Sequence, residues 1–273
     1  MLIREETITS YGYIIIIILL MMATPSLVLY GHAWNRASRC MWMLRELNLP
    51  YKLKEVDLLS LKHDHLNPNR KQPYLHDSQA GALFESMAIN MHLVEEYGTG
   101  CEITPRSASE RAALRKWSVW AATELDMLLF EGVFYRKAAN RHPLSRKENY
   151  LNYFDREKTQ ARFERIKREV SFPLEVLDKA LLAEGGWLIG GRFTAADLNV
   201  ASVCQWALLI FGRKHLAQKF PNLASWLMKC FSRAKSPLQQ APKQISEKSF
   251  SHEGFVNRMD RNGSLSTTSS SRL

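Results

Sequence analysis

Apolar residues recur along this chain in two periods, one after the other. Leu27, Val28, Leu29 and Tyr30 form a compact run of the kind a buried strand shows, and Gly31 breaks it. An apolar stripe then opens at Cys40 and continues through Met41, Met43, Leu44 and Leu47 near helical spacing. It predicts a helix over Arg39–Leu47 that stops at Asn48, ahead of Pro50. Tyr51–Leu58 alternates polar and apolar positions, the signature of a half-buried strand. Leu59–Asn69 is polar and loop-like, with room for a short helix. Gln72 and Pro73 precede a strand within Lys71–Asp77, which the turn at Asp77–Gly81 folds onto Ala82–Phe84 as a hairpin. Ser86 is placed to cap a helix over Met87–Tyr97, which Gly98 ends. The order is β-α-β, loop, β-β-α.

After a linker with Gly98, Gly100 and Pro105, the period becomes wholly helical. Ser109–Tyr135 carries Leu114, Trp117, Trp120, Ala121, Leu125 and Leu128 at steps of three and four. Lys147–Leu182 forms a long helical stretch in which Pro173 should start or kink a helix. Thr194–Phe211 and Pro221–Arg233 are two more helices, and no fixed repeat appears. The chain therefore divides into residues 1–25 as an extension, a small α/β domain over 26–98, a linker over 99–108, an all-helical domain over 109–238, and a tail over 239–273. That tail is rich in Ser, Gln, Lys and Asn and reads as disordered.

The extension holds a ten-residue apolar run, IIIIILLMMA, where a membrane-spanning helix needs about 20 residues. Arg4 stands against Glu5 and Glu6 ahead of it, so it makes a poor signal peptide. A natural start at Met21 or Met22 is one reading, a membrane anchor within 13–23 a second, and a disordered or packed extension a third.

The formal charge of +10 raises nucleic acid or an anionic membrane as partners. Its distribution argues otherwise. Between Tyr135 and Arg168 there are eleven Lys and Arg against four Asp and Glu, with spacings such as Glu164 to Arg168 that suit a solvated helical face. Zinc-finger spacing and an aromatic RNA-binding signature are both missing. Cys40, Cys101, Cys204 and Cys230 are scattered through apolar stretches without a C-x-x-C pair. They predict neither a metal site nor a dithiol, but reduced thiols in a cytoplasmic protein.

Four local stretches, in order, resemble the glutathione S-transferase family over about Ser26–Leu238. YGHAWNRASRCMWMLRELNLPY is similar to that family's first strand, active-site loop and first helix. NPNRKQPYL resembles its N-P-x-G-x-V-P-x-L segment with a cis proline, FESMAI its E-S-x-A-I, and GGRFTAADL its G-x-x-[FP]-[ST]-x-A-D. The resemblance implies a thioredoxin-like α/β domain followed by an all-α domain, glutathione as co-substrate, no metal, and a homodimer. It also implies a cis bond between Gln72 and Pro73, which turns the Gln72 backbone toward the cysteinyl part of glutathione as an added strand. It assigns Glu85 and Ser86 to the γ-glutamyl end. There a helix N-terminus suits the carboxylate and Glu85 the ammonium. Lys71 is a candidate for a further carboxylate.

The chemistry implied is attack by the sulfur of glutathione, whose thiol is mostly protonated at neutral pH and needs a donor to favour the thiolate. Against the Ser-type pattern G-H-P-x-S-x-x-x-R, the serine position holds Asn35, whose amide is also a donor. Ser38 is the alternative, and a loop amide a third. Cys40 lies inside the helix stripe, which argues against a mixed-disulfide mechanism. Trp34, Phe130, Phe134, Tyr135, Trp206 and Phe211 are candidates for an apolar electrophile pocket, Trp34 and Tyr135 first among them. Thr194 and Asp197 read as a capping box with a structural role. The expected function is conjugation of glutathione to small hydrophobic electrophiles. Glutathione-dependent peroxide or disulfide reduction and a non-catalytic binding module are the alternatives.

Overall fold

The computed structural model describes residues 26–33, 35–56, 67–69, 71–139, 156–233 and 235. The extension over 1–25, the loop over 57–66, the start of the long helix at 147–155, Trp34 and the tail over 239–273 lie outside the described residues.

Four strands form one sheet in the order β2-β1-β3-β4: β1 Leu27–Tyr30, β2 Tyr51–Lys54, β3 Tyr74–Asp77 and β4 Gly81–Phe84. β1 runs parallel to β2 and antiparallel to β3, and β3 and β4 make the expected hairpin. The two parallel strands are joined by α1, Ala37–Glu46, the helical crossover that a parallel pair needs. α2, Ser86–Tyr97, follows the hairpin and packs against α1. Gly98 closes α2 as expected, its N–H donating to the Val94 carbonyl at 3.1 Å. β2 is not half-buried: Lys52, Leu53 and Lys54 are exposed, because β2 is an edge strand with one neighbour. Its lysines discourage further strand pairing.

The helical domain begins with one continuous helix in three parts. These are α3, Ala108–Trp120, a π-helical segment, Ala121–Asp126, and α4, Met127–Ala139. Ser107 caps it, accepting the Glu110 N–H at 3.1 Å. α5, Arg156–Ala183, runs through Pro173 without a break. Proline costs a helix one internal hydrogen bond, and here the buried ring lies between the buried Val170 and Leu174, in the apolar stripe that holds α5 in place. Glu164 pairs with Lys167 and Gln160, while Arg165 takes Glu169 and Arg162 reaches Glu131 on α4. α6, Ala195–Phe211, is the central helix, with almost every residue buried. It is followed by α7, Arg213–Lys219, a short helix that the apolar pattern did not predict, and α8, Pro221–Phe231. α6 packs on α1 and α2 as well as on α3, α4 and α8. One apolar core accordingly runs from Leu27 in the sheet to Phe231 in the last helix.

Candidate functional site

The β1–α1 junction is a tight turn. At Gly31 φ is +153°, and a Cβ there would lie 2.5 Å from that of Ala37, so the close approach of strand and helix requires glycine. Asn35 then opens α1. Its Oδ1 accepts the Ala37 N–H at 2.8 Å, which satisfies one orphan donor of the first turn. Its Nδ2 donates to Gln72 Oε1 at 2.6 Å, and Gln72 Nε2 donates to the Val56 carbonyl at 3.0 Å. The carbonyl is turned into the helix, and one of the two hydrogens on the amide nitrogen is taken by Gln72. Ser38 sits in the first turn, and its hydroxyl donates to the Asn35 carbonyl at 2.8 Å. Burial pushes the Cys40 thiol up to about 12, far from the range of a nucleophilic thiolate.

The Gln72–Pro73 bond is cis. Asn67 and Lys71 hold the preceding loop through a 2.7 Å bond from Asn67 Nδ2 to the Lys71 carbonyl, and Lys71 is exposed. Ser86 does not cap α2. The N-cap is Glu85, exposed, with φ +69° and ψ 113° and no side-chain cap, and Ser86 is the first helical residue. Such a backbone costs a non-glycine residue about 1–3 kcal/mol. Asn and Ser are the usual caps, so the propensity of Ser86 pointed one residue too far along.

Arg39 joins the α1 and α2 openings, and Arg36 beside it ties the α1 opening to the helical domain. Arg39 is 2% exposed, and a charge so buried needs a partner. It donates to both oxygens of Asp126, at 3.2 and 2.5 Å, and to Ser86 Oγ at 3.4 Å. Arg36 reaches Asp126 Oδ2 at 2.8 Å and lies over the Phe130 ring at 4.9 Å, with Met127 Sδ at 3.7 Å. Desolvation drives the Asp126 carboxyl up, and hydrogen bonds and charge from Arg39 and Arg36 outweigh it, leaving it below the usual carboxylate range. The π-helical segment ends on Asp126, which sets this residue toward the arginines. Such segments often sit at functional sites.

Sequence reasoning missed Arg36, Arg39 and Asp126. A lone carboxylate inside the apolar run Leu125–Leu129 was the available signal. Of the proposed pocket residues, Tyr135 is half-buried, packed on the core with its ring edge-on to Phe134 at 5.5 Å. The aromatic that the structure joins to the α1 opening is Phe130, with Met127 beside it, and both are exposed. Among the described residues no three His, Cys, Asp or Glu converge as a metal site.

Comparison with known proteins gives one answer. The family model for the glutathione S-transferase N-terminal domain matches residues 25–95, and that for the C-terminal domain matches 160–227. The glutathione S-transferase-like protein tpcF of Aspergillus fumigatus is 26% identical over 224 residues, 76% of this chain and 91% of that one. Glutathione S-transferase 3 of Schizosaccharomyces pombe is 26% identical over 217 residues, 74% and 81% of the two chains. In fold, the glutathione transferase URE2P8 of Phanerochaete chrysosporium, solved with oxidized glutathione, superposes with a TM-score of 0.65 at 23% identity, over 81% of this chain and 97% of that one. A sheet of four strands with two helices, a cis Gln72–Pro73 bond, an open α2 N-terminus and a helical second domain thus meet both family models, and the chain belongs to the glutathione S-transferase family.

Proposed function

We propose that the protein is a transferase conjugating reduced glutathione to small apolar electrophiles. One observation carries this reading. The positive ends of α1 and α2 are tied to each other through Arg39, so a thiolate and a carboxylate are both favoured in one place. Glu85 and Ser86 hold the γ-glutamyl end, the Gln72 backbone pairs with the cysteinyl unit, and Lys71 meets a carboxylate. The remaining N–H of Asn35 donates to sulfur. Ser38 is not assigned that role, since its hydroxyl hydrogen is used on the Asn35 carbonyl. Met127 and Phe130 supply an apolar wall beside Arg36 for the electrophile. With 1-chloro-2,4-dinitrobenzene, the thiolate attacks the ring carbon, a C–S bond forms, and chloride leaves with the C–Cl electron pair.

The test is titration with reduced glutathione followed by conjugation assays. Asn35→Ala is expected to lower the rate about a hundredfold with little change in affinity, the usual loss for one preorganised donor. A wild-type rate in that variant would discard the assignment of Asn35. Absence of glutathione binding would overturn the whole reading.

A second reading, a glutathione-binding module without conjugating activity, rests on a separate observation. Asn35 already spends its oxygen on Ala37 and one N–H on Gln72. Binding without turnover of either chlorodinitrobenzene or cumene hydroperoxide would favour it.

A further inference from the structure

Behind the α1–α2 pair, a chain of buried polar side chains crosses into the helical domain. Asn90 on α2 donates through Nδ2 to Asn199 Oδ1 on α6 at 2.8 Å, and to the Arg39 carbonyl on α1 at 3.4 Å. Asn199 Nδ2 donates to Ser118 Oγ on α3 at 2.8 Å. All three residues are fully buried. Both neighbours of the Asn90 amide are acceptors, which fixes its NH2 toward them and leaves Asn90 Oδ1 without a partner. An open buried acceptor costs about 1–3 kcal/mol, so an apolar residue would serve stability better. What the amides provide is a single permitted register between four helices, the effect a buried polar network has when its partners are fixed. Asn90 stands four residues after Ser86, on the same face of α2 and one turn below its open end. It also touches the backbone of Arg39, the residue that grips Ser86 and Asp126.

We propose that Asn90 and Asn199 are positioning residues for glutathione: their buried amide pair seats the N-terminus of α2 against Arg39, and so places Glu85 and Ser86. This rests on the reading of those two residues as the γ-glutamyl site. A lock of this kind acts through the bound pose, so it alters affinity in molecules that are fully folded. A purely structural contact alters stability alone.

The experiment uses the full chain with the variants Asn90→Leu, Asn199→Leu and the double variant. Each is read by thermal unfolding and by the Kd for reduced glutathione well below the melting transition. A single leucine strands the facing amide, and the pair together removes both. The double variant is therefore expected to regain most of the thermal stability lost by the singles. Its Kd is expected to remain roughly fivefold weaker than that of the wild type. In the conjugation assay the KM for glutathione should rise by a similar factor while kcat changes little. Ser118→Ala leaves both amides in place and decides the matter if the leucine variants do not fold, with an expected weakening of about twofold. Wild-type Kd in the folded double variant overturns the inference, and so does wild-type Kd in Ser118→Ala when that variant alone folds. Failure of the wild-type chain to bind glutathione overturns the functional reading first and this inference with it.

Discussion

Two helices in this protein open on a hydroxyl and a carboxylate, and they are built to opposite ends. At α6, Asp197 is fully buried and saturated. Its Oδ2 accepts the Thr194 N–H at 2.8 Å and the Thr194 hydroxyl at 2.9 Å, and its Oδ1 accepts the Leu188 N–H at 3.0 Å and the Trp226 indole N–H at 2.9 Å. At α2, Glu85 is exposed, makes no cap, and holds a left-handed backbone. The first design spends every donor on the fold. The second has no side-chain cap and carries the cost of a strained φ at Glu85. A helix N-terminus thus reveals its use by whether its orphan N–H groups are closed.

The sharpest way to break that contrast is Asp197→Ala. A lost cap alone costs about 1 kcal/mol. Here three buried N–H groups lose their acceptor, so the expected loss is about 3 kcal/mol by urea unfolding. Glutathione affinity of the folded fraction should be unchanged, and a weakened Kd would erase the distinction between the two helices. At the other opening, Glu85→Gly should do the reverse. It relieves the strained φ and is expected to gain about 1 kcal/mol of stability, while the lost carboxylate weakens glutathione binding about tenfold. A variant both less stable and unaltered in binding would show that Glu85 is structural. Ser86→Ala should be milder, with about threefold in affinity and under 1 kcal/mol in stability, because the 3.4 Å bond from Arg39 is long.

The smallest effect is in the pH profile. Asp126 has its folded value below its unfolded one, so the stability it contributes is present above about pH 4 and is lost as pH falls through the folded value. Asp197 has the opposite sign. Burial outweighs its four donors and raises its carboxyl, so its contribution is complete below about pH 4 and declines as pH rises through the folded value. Urea midpoints followed from pH 2 to 7 should therefore show a flatter acid limb in Asp126→Asn. An unchanged limb would remove Asp126 from the set of groups that link acid to unfolding.

Much of this was legible in the sequence where the signal is local. The run Leu27–Tyr30, the stripe from Cys40 and the hairpin around Asp77–Gly81 each carry their own period, and their order led to the right architecture. β2 was misjudged because alternation does not say whether a strand has a second neighbour. Asn35 could be picked out, but its partner Gln72 lies 37 residues away. The Arg39–Asp126 pair spans 87 residues and the Asn90–Asn199 pair 109. Contacts at such separations exist only once the domains have packed, and no window of sequence contains them. The capping error at Ser86 is of another kind: local propensity favoured Ser, and a strained Glu85 overrode it.

The π-helical segment Ala121–Asp126 has a consequence for how this chain tolerates change in length. It accommodates an extra residue within a helix that continues on both sides to Ala108 and Ala139. Removing one residue there would restore an ordinary helix and leave α4 close to its present rotation, because the bulge is what absorbs the extra residue. Leu129 and Val133 would stay in the core, and the change would fall on the segment itself, where Asp126 meets Arg36 and Arg39. A single-codon deletion in this stretch would therefore strike the arginine–Asp126 cluster and spare the packing of α4, whereas the same deletion inside α3 or α4 would turn the helix beyond it by about 100°.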